Sequence, residues 1–247
     1  AAMRSAGGDA FTTKSALGRA VTFNDDPLTF KANRGKFTPL NAKEYQELYN
    51  AFAPFMDDTV VDIVKRENAG TGSVNMDRFY FLVGPRKPHT AESFSQCHIV
   101  EVKQQREAAP LHHFKSLCPV NLLNPAHLTA RSQRRMQRHA DLILDEAIYN
   151  DKHFLIRSRH HAIVGITPED VAMGNKAVNG GFNYVAELCG YTLALAHCRG
   201  DRRSTRFANA AASVLTEERD NLVAIANQYA ELVQSDYTWF CETIAKA

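Results

Sequence analysis

The sequence predicts an α+β fold in which a small, mainly antiparallel sheet precedes a helical region. Runs rich in β-branched and aromatic residues, separated by turn residues, fill the stretch from about residue 59 to residue 103, and such runs are typical of strands. From about residue 126 onward, apolar residues recur at helical spacing instead. Strands that are grouped ahead of helices indicate an α+β architecture rather than an alternating one.

The N-terminal half of the chain contains one predicted helix and three predicted strands. Residues 1–40 contain turn sequences and little periodicity, so we expect them to be loose. A helix is predicted over residues 42–55, because apolar and aromatic residues recur there at helical spacing: Tyr45, Leu48, Tyr49 and Phe52. The three strands are predicted over residues 60–64, 79–83 and 97–103.

The C-terminal half is predicted to be mainly helical. One helix begins near residue 126 and presents an apolar stripe opposite its arginines, formed by Met136, Ala140, Ile143, Leu144 and Ala147. A short strand pair is expected around residues 153–157 and 162–166, and a loop at residues 179–181. Two helices, near residues 183–198 and 217–245, are expected to close the chain. The predicted regions are residues 1–58, with loops and a helix, residues 59–170, with the sheet and one helix, and residues 171–247, which are helical.

Composition and charge exclude several classes of protein. The 247 residues carry a formal net charge of +2, whereas a dedicated nucleic-acid binder usually has a strongly basic domain. No apolar run approaches the ~20 residues that a membrane span needs, and the first residues form no apolar signal core. Five scattered cysteines include no Cys-x-x-Cys pair, so neither a zinc ribbon nor a disulfide framework is encoded. We therefore expect a cytoplasmic protein that binds neither a membrane nor nucleic acid.

The first candidate binding motif is a glycine-rich loop, Gly70-Thr71-Gly72-Ser73, between two predicted strands. Successive backbone N–H groups in such a turn can form a concave nest for phosphate oxygens. Glycine suits this use because a side chain would hold the phosphate away from the backbone. A Gly-x-Gly sequence between strands is also common in tight hairpins, and that interpretation stays open.

The next strand ends in a lysine, within the sequence Val100-Glu101-Val102-Lys103. A glycine loop between two strands, followed by a strand that carries a lysine, is the order of the nucleotide grip of protein kinases, in which the lysine contacts the phosphates. Lys103 could equally be a solvated lysine at a strand end. The kinase lysine also needs an acidic partner from the following helix, and no glutamate lies between Glu107 and Glu146.

Several motifs in a fixed order resemble a known family. They are Ala69-Gly70-Thr71-Gly72-Ser73-Val74, Arg78-Phe79-Tyr80, Val102-Lys103, Gln133-Arg134-Arg135-Met136-Gln137, Cys189-Gly190, Leu193-Ala194-Leu195-Ala196-His197, and Tyr229-Ala230 with Asp236-Tyr237. In this order they resemble the bacterial family known as domain of unknown function twenty-two fifty-two. The resemblance runs from about residue 60 to the C-terminus.

The resemblance implies a kinase-like fold related to small-molecule phosphotransferases such as the aminoglycoside kinases, with the segments in permuted order. It implies ATP and Mg²⁺ as cofactors and a small molecule as substrate. The nucleotide would be held by Gly70, Thr71, Gly72, Ser73 and Lys103. In the permuted order, a His-Gly-Asp-x-His-x-x-Asn catalytic loop and an Asp-rich metal motif precede the glycine loop.

The catalytic loop of that family is not found in this chain. Gly8-Asp9-Ala10-Phe11 has Phe11 where histidine is expected, and Asn24-Asp25-Asp26 imitates the metal motif without the residues that should follow it. Because the chain starts at Ala1, we expect the catalytic segment to lie upstream of it in a longer protein. Without an Asp base and Mg²⁺ ligands, the chain could hold a nucleotide but not transfer its phosphate. Exposed apolar surface, which a second copy of the chain could cover, would accompany such a fragment.

The remaining polar motifs have structural interpretations, and some of them have functional alternatives. Arg157 and Arg159 share one face of a predicted strand and could bind phosphates, bind an acidic substrate, or form a structural salt bridge. The vicinal pairs His112-His113 and His160-His161 point apart and are interpreted as surface histidines, and His197 as a histidine at a helix C-terminus. The arginine clusters at 131–138 and 199–206 suggest a solvated helix face and a helix-end turn, with nucleic-acid binding as the alternative. As a whole, the chain could also be a non-catalytic binding or scaffold module.

Overall fold

A six-stranded antiparallel sheet is the framework of the N-terminal part of the protein. The computed structural model describes residues 16–22, 28–31, 35–86, 91–114, 116, 124–159, 168–201 and 204–245. A short hairpin of β1 (Val21–Thr22) and β2 (Thr29–Phe30) precedes the sheet. The sheet strands are β3 (Phe37–Pro39), β4 (Thr59–Arg66), β5 (Arg78–Gly84), β6 (His98–Gln105), β7 (Leu144–Tyr149) and β8 (Lys152–Arg159), in the spatial order β3-β4-β5-β6-β8-β7.

Ten described helices accompany the strands. They are α1 (Ala16–Ala20), α2 (Ala42–Phe52, continued by a 3₁₀ turn over Ala53–Phe55), α3 (Ala91–Ser95), α4 (Ala109–His113), α5 (Pro125–Met136), α6 (Pro168–Ala172), α7 (Gly174–Val178), α8 (Gly181–Gly200), α9 (Arg206–Glu217) and α10 (Arg219–Thr243). The chain divides into two compact units, Ala1–Cys189 and Gly190–Ala247. The α+β class is confirmed, because an antiparallel sheet precedes a helical region.

The predicted helix over residues 42–55 and the three predicted strands are confirmed as α2 with its 3₁₀ turn, β4, β5 and β6. Asn41 caps α2 with a capping box: its side chain accepts from the Glu44 N–H at 2.9 Å, while the Glu44 carboxylate lies 3.4 Å from the Asn41 N–H. β5 lies in the interior of the sheet, where both of its faces are covered. That position explains why its apolar run, residues 79–83, is continuous rather than alternating.

The face of the sheet that packs against α2 contains the aromatic core. Phe52 of α2 is fully buried and meets Phe81 and Phe154 edge-on, with ring centroids 5.9 and 5.5 Å apart. Edge-on aromatic pairs of this kind are favourable beyond the area that they bury. Val100 and Val102 of β6 lie in the same cluster, so Glu101 and Lys103, at the alternate positions, belong to the opposite face.

On the opposite face, the described residues between positions 16 and 37 contribute to the core, which corrects, for these residues, the expectation that residues 1–40 are loose. Leu17, Val21 and Phe30 are buried in one cluster with Tyr80 of β5. Asp62 of β4 ties this segment to the sheet, because its carboxylate accepts from the Phe30 N–H at 2.7 Å. The elements here are two to five residues long, too short for a hydrophobic period to be visible in the sequence.

The region after residue 136 forms strands, which corrects the prediction of one long helix with a stripe through Ala147. Helix α5 ends at Met136, and Leu144 to Tyr149 form β7, paired with β8. Asn150 and Asp151 join the two strands with φ values of 47° and 56°, the geometry of a two-residue hairpin turn that Asn and Asp tolerate. Residues 153–157 belong to β8, which pairs with β6 on one side and β7 on the other, and the predicted strand at 162–166 lies outside the described residues.

Three helices close the chain where two were predicted. The expected helices near 183–198 and 217–245 are confirmed as α8 and α10, and the additional helix α9 lies between them. No described residue of α8, α9 or α10 is buried, and large apolar side chains such as Tyr229 and Trp239 are exposed. No helix within the described residues is long and apolar enough to cross a membrane.

Candidate functional site

The glycine loop connects β4 to β5 in the hairpin that its sequence predicted. Residues 71–73 form a 3₁₀ turn, closed by a hydrogen bond from the Ser73 N–H to the Gly70 carbonyl at 3.3 Å. Gly70 has a φ of +100°, a backbone conformation that a residue with a side chain rarely adopts. A glycine is therefore required at position 70 by the backbone itself.

Gly72 is not required by the backbone in this way. Its φ is not among the positive values, and a Cβ placed on it would meet no atom within 4 Å. Glycine costs about 0.5–1 kcal/mol of conformational entropy relative to alanine where its freedom is not used. The backbone at Gly72 therefore borders open space.

Arg78, the first residue of β5, holds the loop in place. Its Nη2 donates to the Ser73 hydroxyl at 2.9 Å and its Nη1 donates to the Ala69 carbonyl at 3.2 Å. On the other side of the loop, Arg106 Nη2 donates to the Asn75 carbonyl at 2.8 Å. The loop is thus fixed at both ends by guanidinium groups, and a cleft of about 360 Å³ is lined by Gly70, Ser73 and Arg78 among others.

Lys103 lies on β6 directly opposite Arg78 on β5. Residues that pair across an antiparallel ladder project from the same face, so the lysine and the arginine that holds the loop share one face of the sheet. Lys103 does not line the cleft at the loop. The pKa of Lys103 is lowered below its ordinary value, mainly by partial burial and secondly by the nearby positive charge of Arg78. Arg78 thus contacts the glycine loop and is also the cross-strand neighbour of Lys103.

Glu101 is a buried carboxylate on the same face, two residues before Lys103. Its Oε2 accepts a hydrogen bond from Arg157 Nε at 2.8 Å and lies 2.8 Å from Arg157 Nη2. Its Oε1 accepts a hydrogen bond from Arg159 Nη1 at 3.3 Å. Arg78 Nη1 lies 3.6 Å from the same Oε1. Burial would raise the pKa of Glu101, but the surrounding arginines outweigh burial and hold the pKa below its ordinary value. Arg157 and Arg159 therefore form a salt bridge with Glu101, which was one of the three possibilities that the sequence left open for them.

Helix α5 lies against this face and connects to it through polar contacts. Thr129 donates to Gln105 at 3.1 Å, and His127 Nδ1 lies 2.7 Å from the Glu146 carboxylate on β7. Arg134 donates to the Leu144 carbonyl, so this arginine anchors the helix rather than lying only on a solvated face. Residues 125–136 include no acidic residue, and α5 supplies no carboxylate to Lys103.

The other candidates of the sequence form no second site within the described residues. His112 pairs with Glu107 at 3.5 Å, and His197 stacks edge-on against Phe207 at 5.8 Å. Arg199 belongs to α8 and Arg206 begins α9, rather than both lying in a loop. No group of three metal-ligating side chains occurs among the described residues. His160-His161 and the sequences at 8–11 and 24–26 lie outside them.

Sequence reasoning did not identify two residues at the centre of the site, Arg78 and Glu101. The available signal was a charged residue between two valines, Val100-Glu101-Val102, in a strand with buried neighbours. A carboxylate at a core position is rare unless it is paired. Its partners could not be identified from the sequence, because Arg157 is 56 residues away along the chain.

The fold and the site define an α+β protein in which a glycine loop adjoins a cationic face of an antiparallel sheet. The chain belongs to the bacterial family described as uncharacterized protein conserved in bacteria, domain of unknown function twenty-two fifty-two, which it matches over residues 2–243. The resemblance noted from the sequence motifs is thereby confirmed as a family relationship. No curated protein and no solved structure matches the chain.

Proposed function

We propose that this chain binds a nucleotide such as ATP between the Gly70–Ser73 loop and Lys103, as the nucleotide-binding part of a kinase-like phosphotransferase. The observation that carries the proposal is the order of elements on one sheet: a hairpin with the glycine loop, the adjacent antiparallel strand with Lys103, and then α5 on the lysine's face. The nucleotide grip of protein kinases has its glycine loop, lysine strand and following helix in this order.

Two details of the loop support phosphate binding. The space beside Gly72 is open, and close approach to a backbone is what a phosphate nest requires. The ammonium group of Lys103 has no hydrogen-bond or ion-pair partner within the described residues, since the side chain of Gln105 contacts Lys103 only at its backbone carbonyl, so this ammonium group is available to an anion. A phosphate bound beside Lys103 would favour its charged form and oppose the lowering of its pKa by burial and by Arg78.

Phosphoryl transfer would also need Mg²⁺ ligands and a carboxylate that is free to act as a base. The described residues offer cationic side chains to a phosphate group but include no group of three metal-ligating side chains. Asp77, beside the loop, is paired with Lys152 at 2.6 Å. Glu101, the carboxylate nearest to Lys103 along its strand, is committed to arginines. The proposed role of this chain is therefore to hold and orient the nucleotide, while ATP supplies the transferable phosphoryl group.

Calorimetric titration with ATP tests the proposal, using the intact protein and the Lys103→Ala variant. The exposed Lys43→Ala on α2 is the matched control, since its side chain is 85% exposed. A charge-assisted hydrogen bond contributes about 1.5–3 kcal/mol, so loss of Lys103 is expected to weaken binding roughly 10- to 100-fold. Lys43→Ala should bind ATP as the unaltered protein does. Equal binding by Lys103→Ala, or no binding by any of the three proteins, would refute the proposal.

A second candidate function is a non-catalytic binding or scaffold module. The lack of an acidic residue in α5 favours it, because the active kinase arrangement needs a glutamate from that helix. ATP hydrolysis or phosphoryl transfer by the protein, lost in Lys103→Ala, would exclude this alternative. ATP binding without turnover would support it.

A further inference from the structure

The position two residues before Lys103 carries a charge where the kinase motif has a small apolar residue. The kinase strand reads Val-Ala-Ile-Lys, and this strand reads Val100-Glu101-Val102-Lys103. Residues two apart on a strand share a face, so Glu101 stands beside Lys103 at the place of that alanine. The sheet face beside Lys103 is therefore charged, whereas the apolar residue of the kinase motif would provide a surface on which a base could lie.

The register of the sheet brings the charged residues together in three neighbouring rows of one face. The middle row runs across the strands from Tyr80 to Glu101 to Arg157, the row on one side runs from Arg78 to Lys103, and Arg159 lies opposite Ile99 in the row on the other side. Glu101 is 1% exposed, while the arginine side chains around it keep between 12% and 34% of their surface exposed. The carboxylate is thus enclosed beneath guanidinium groups that remain accessible.

The cluster has more positive charge and more donors than Glu101 can satisfy. Four cations, Arg78, Arg157, Arg159 and Lys103, surround one carboxylate, which leaves a net charge of +3. Each guanidinium has five N–H donors in a planar fork that matches phosphate oxygens. Arg78 Nε is buried and has no hydrogen-bond partner among the described residues, although a buried donor normally has one.

The aromatic ring in these rows is already occupied. Tyr80 packs against Phe37 at 5.9 Å and Phe30 at 6.5 Å, and the Arg159 guanidinium lies 5.2 Å from its centroid. A ring covered in this way offers no free face to a base. Guanidinium groups, in contrast, bind phosphates in a bidentate manner.

We propose that this sheet face recognises the phosphate chain of its ligand and not the base, so that the ligand class is a polyphosphate anion with at least two phosphates. The inference rests on the proposed nucleotide function and specifies it. Glu101 acts as a positioning residue, because it fixes the arginines that would contact the outer oxygens. Nucleoside triphosphates and inorganic polyphosphate share this chemistry, and the test distinguishes them.

The test is a calorimetric comparison of ATP, inorganic tripolyphosphate, adenosine and sulfate on the unaltered full chain at one ionic strength. Tripolyphosphate is expected to bind within about fivefold of ATP, and adenosine and sulfate at least about 100-fold more weakly. Tripolyphosphate binding more than about fivefold weaker than ATP binding, or adenosine binding within about 100-fold of ATP binding, would overturn the inference and leave the nucleotide proposal standing. Sulfate as tight as tripolyphosphate would reveal an adventitious ion only. Absence of binding by both ATP and tripolyphosphate would overturn both proposals.

A conservative variant tests the arginines themselves. Arg157→Lys keeps the positive charge beside Glu101 but removes the planar fork, and the exposed Arg135→Lys on α5 is its matched control. Circular dichroism first establishes that both variants are folded. Tripolyphosphate affinity is expected to fall about tenfold in Arg157→Lys and to stay unchanged in Arg135→Lys. Equal losses in the two variants, or none in folded Arg157→Lys, would contradict the assignment.

Discussion

Replacing Glu101 by glutamine perturbs the buried centre of the cationic face without changing its size. The substitution removes the negative charge that Arg157 and Arg159 contact at 2.8 and 3.3 Å. It leaves three guanidinium groups beside one another with no anion between them. We therefore expect a loss of stability in the unit that contains the sheet.

The size of this loss follows from the burial of each partner. Breaking a buried ion pair costs about 3–5 kcal/mol, because a charge is left uncompensated. Glu101 is 1% exposed, but the side chains of Arg157 and Arg159 are 34% and 28% exposed and can be partly rehydrated. The lower end, about 3 kcal/mol, is therefore expected, and it corresponds to a Tm lower by roughly 6–12 °C for a protein of this size.

The assay is thermal and urea unfolding of the unaltered protein, Glu101→Gln and the control Glu47→Gln. Glu47 forms an exposed pair with Lys43 at 3.9 Å, so its substitution should change the free energy of unfolding by less than about 0.5 kcal/mol. A Glu101→Gln loss as small as that of the control would refute the electrostatic account of this face.

The pH dependence of the same comparison is an internal check. Because the folded pKa of Glu101 is lowered, its carboxylate stabilises the fold above the unfolded pKa of about 4.3, and this contribution is lost as the pH falls through the folded pKa. The difference between the unaltered protein and Glu101→Gln should thus be full at neutral pH and shrink in acid. A difference that stays constant down to pH ~2 would mean that packing, not charge, is responsible.

Three further predictions concern the loop, the lysine and the core. Gly70→Ala should destabilise the protein by about 1 kcal/mol or more in urea unfolding, since its φ is +100°, whereas Gly72→Ala should stabilise it by up to about 1 kcal/mol and weaken ATP binding. The pKa of Lys103, lowered by burial and by Arg78, should rise when tripolyphosphate binds, as followed by NMR titration of the lysine side chain, and an unmoved pKa would place the anion elsewhere. Phe52→Ala should cost about 3–5 kcal/mol in urea unfolding because its ring is fully buried, and a loss below about 1 kcal/mol would contradict the described core.

The strands around the glycine loop were predictable because their signals are local. The run at residues 79–83 and the Gly70–Ser73 turn both lie within one hairpin. β7 was assigned to a helix because Ala140, Leu144 and Ala147 also fit a helical spacing, and short apolar patterns do not distinguish the two structures. Residues 144–149 form a strand because they pair with β8. Such pairing is a tertiary interaction, which a local sequence pattern does not reveal.

The candidate site was predictable only in part, for the same reason. The glycine loop and Lys103 have recognisable sequence spacing, whereas the contacts of Glu101 depend on the register between β6 and β8. A shift of one residue in that register would turn Arg157 away to the other face. The face can therefore be identified only once the strands are paired, although each of its charged residues is visible in the sequence.

The most direct test of the account follows the backbone amide NMR signals of the labelled protein during titration with ATP. The account predicts that the amides of Gly70, Gly72, Ser73 and Lys103 shift together with one dissociation constant, because one phosphate chain would lie between the loop and the lysine. Shifts confined to other parts of the chain, or none in these four residues at saturating ATP, would contradict it.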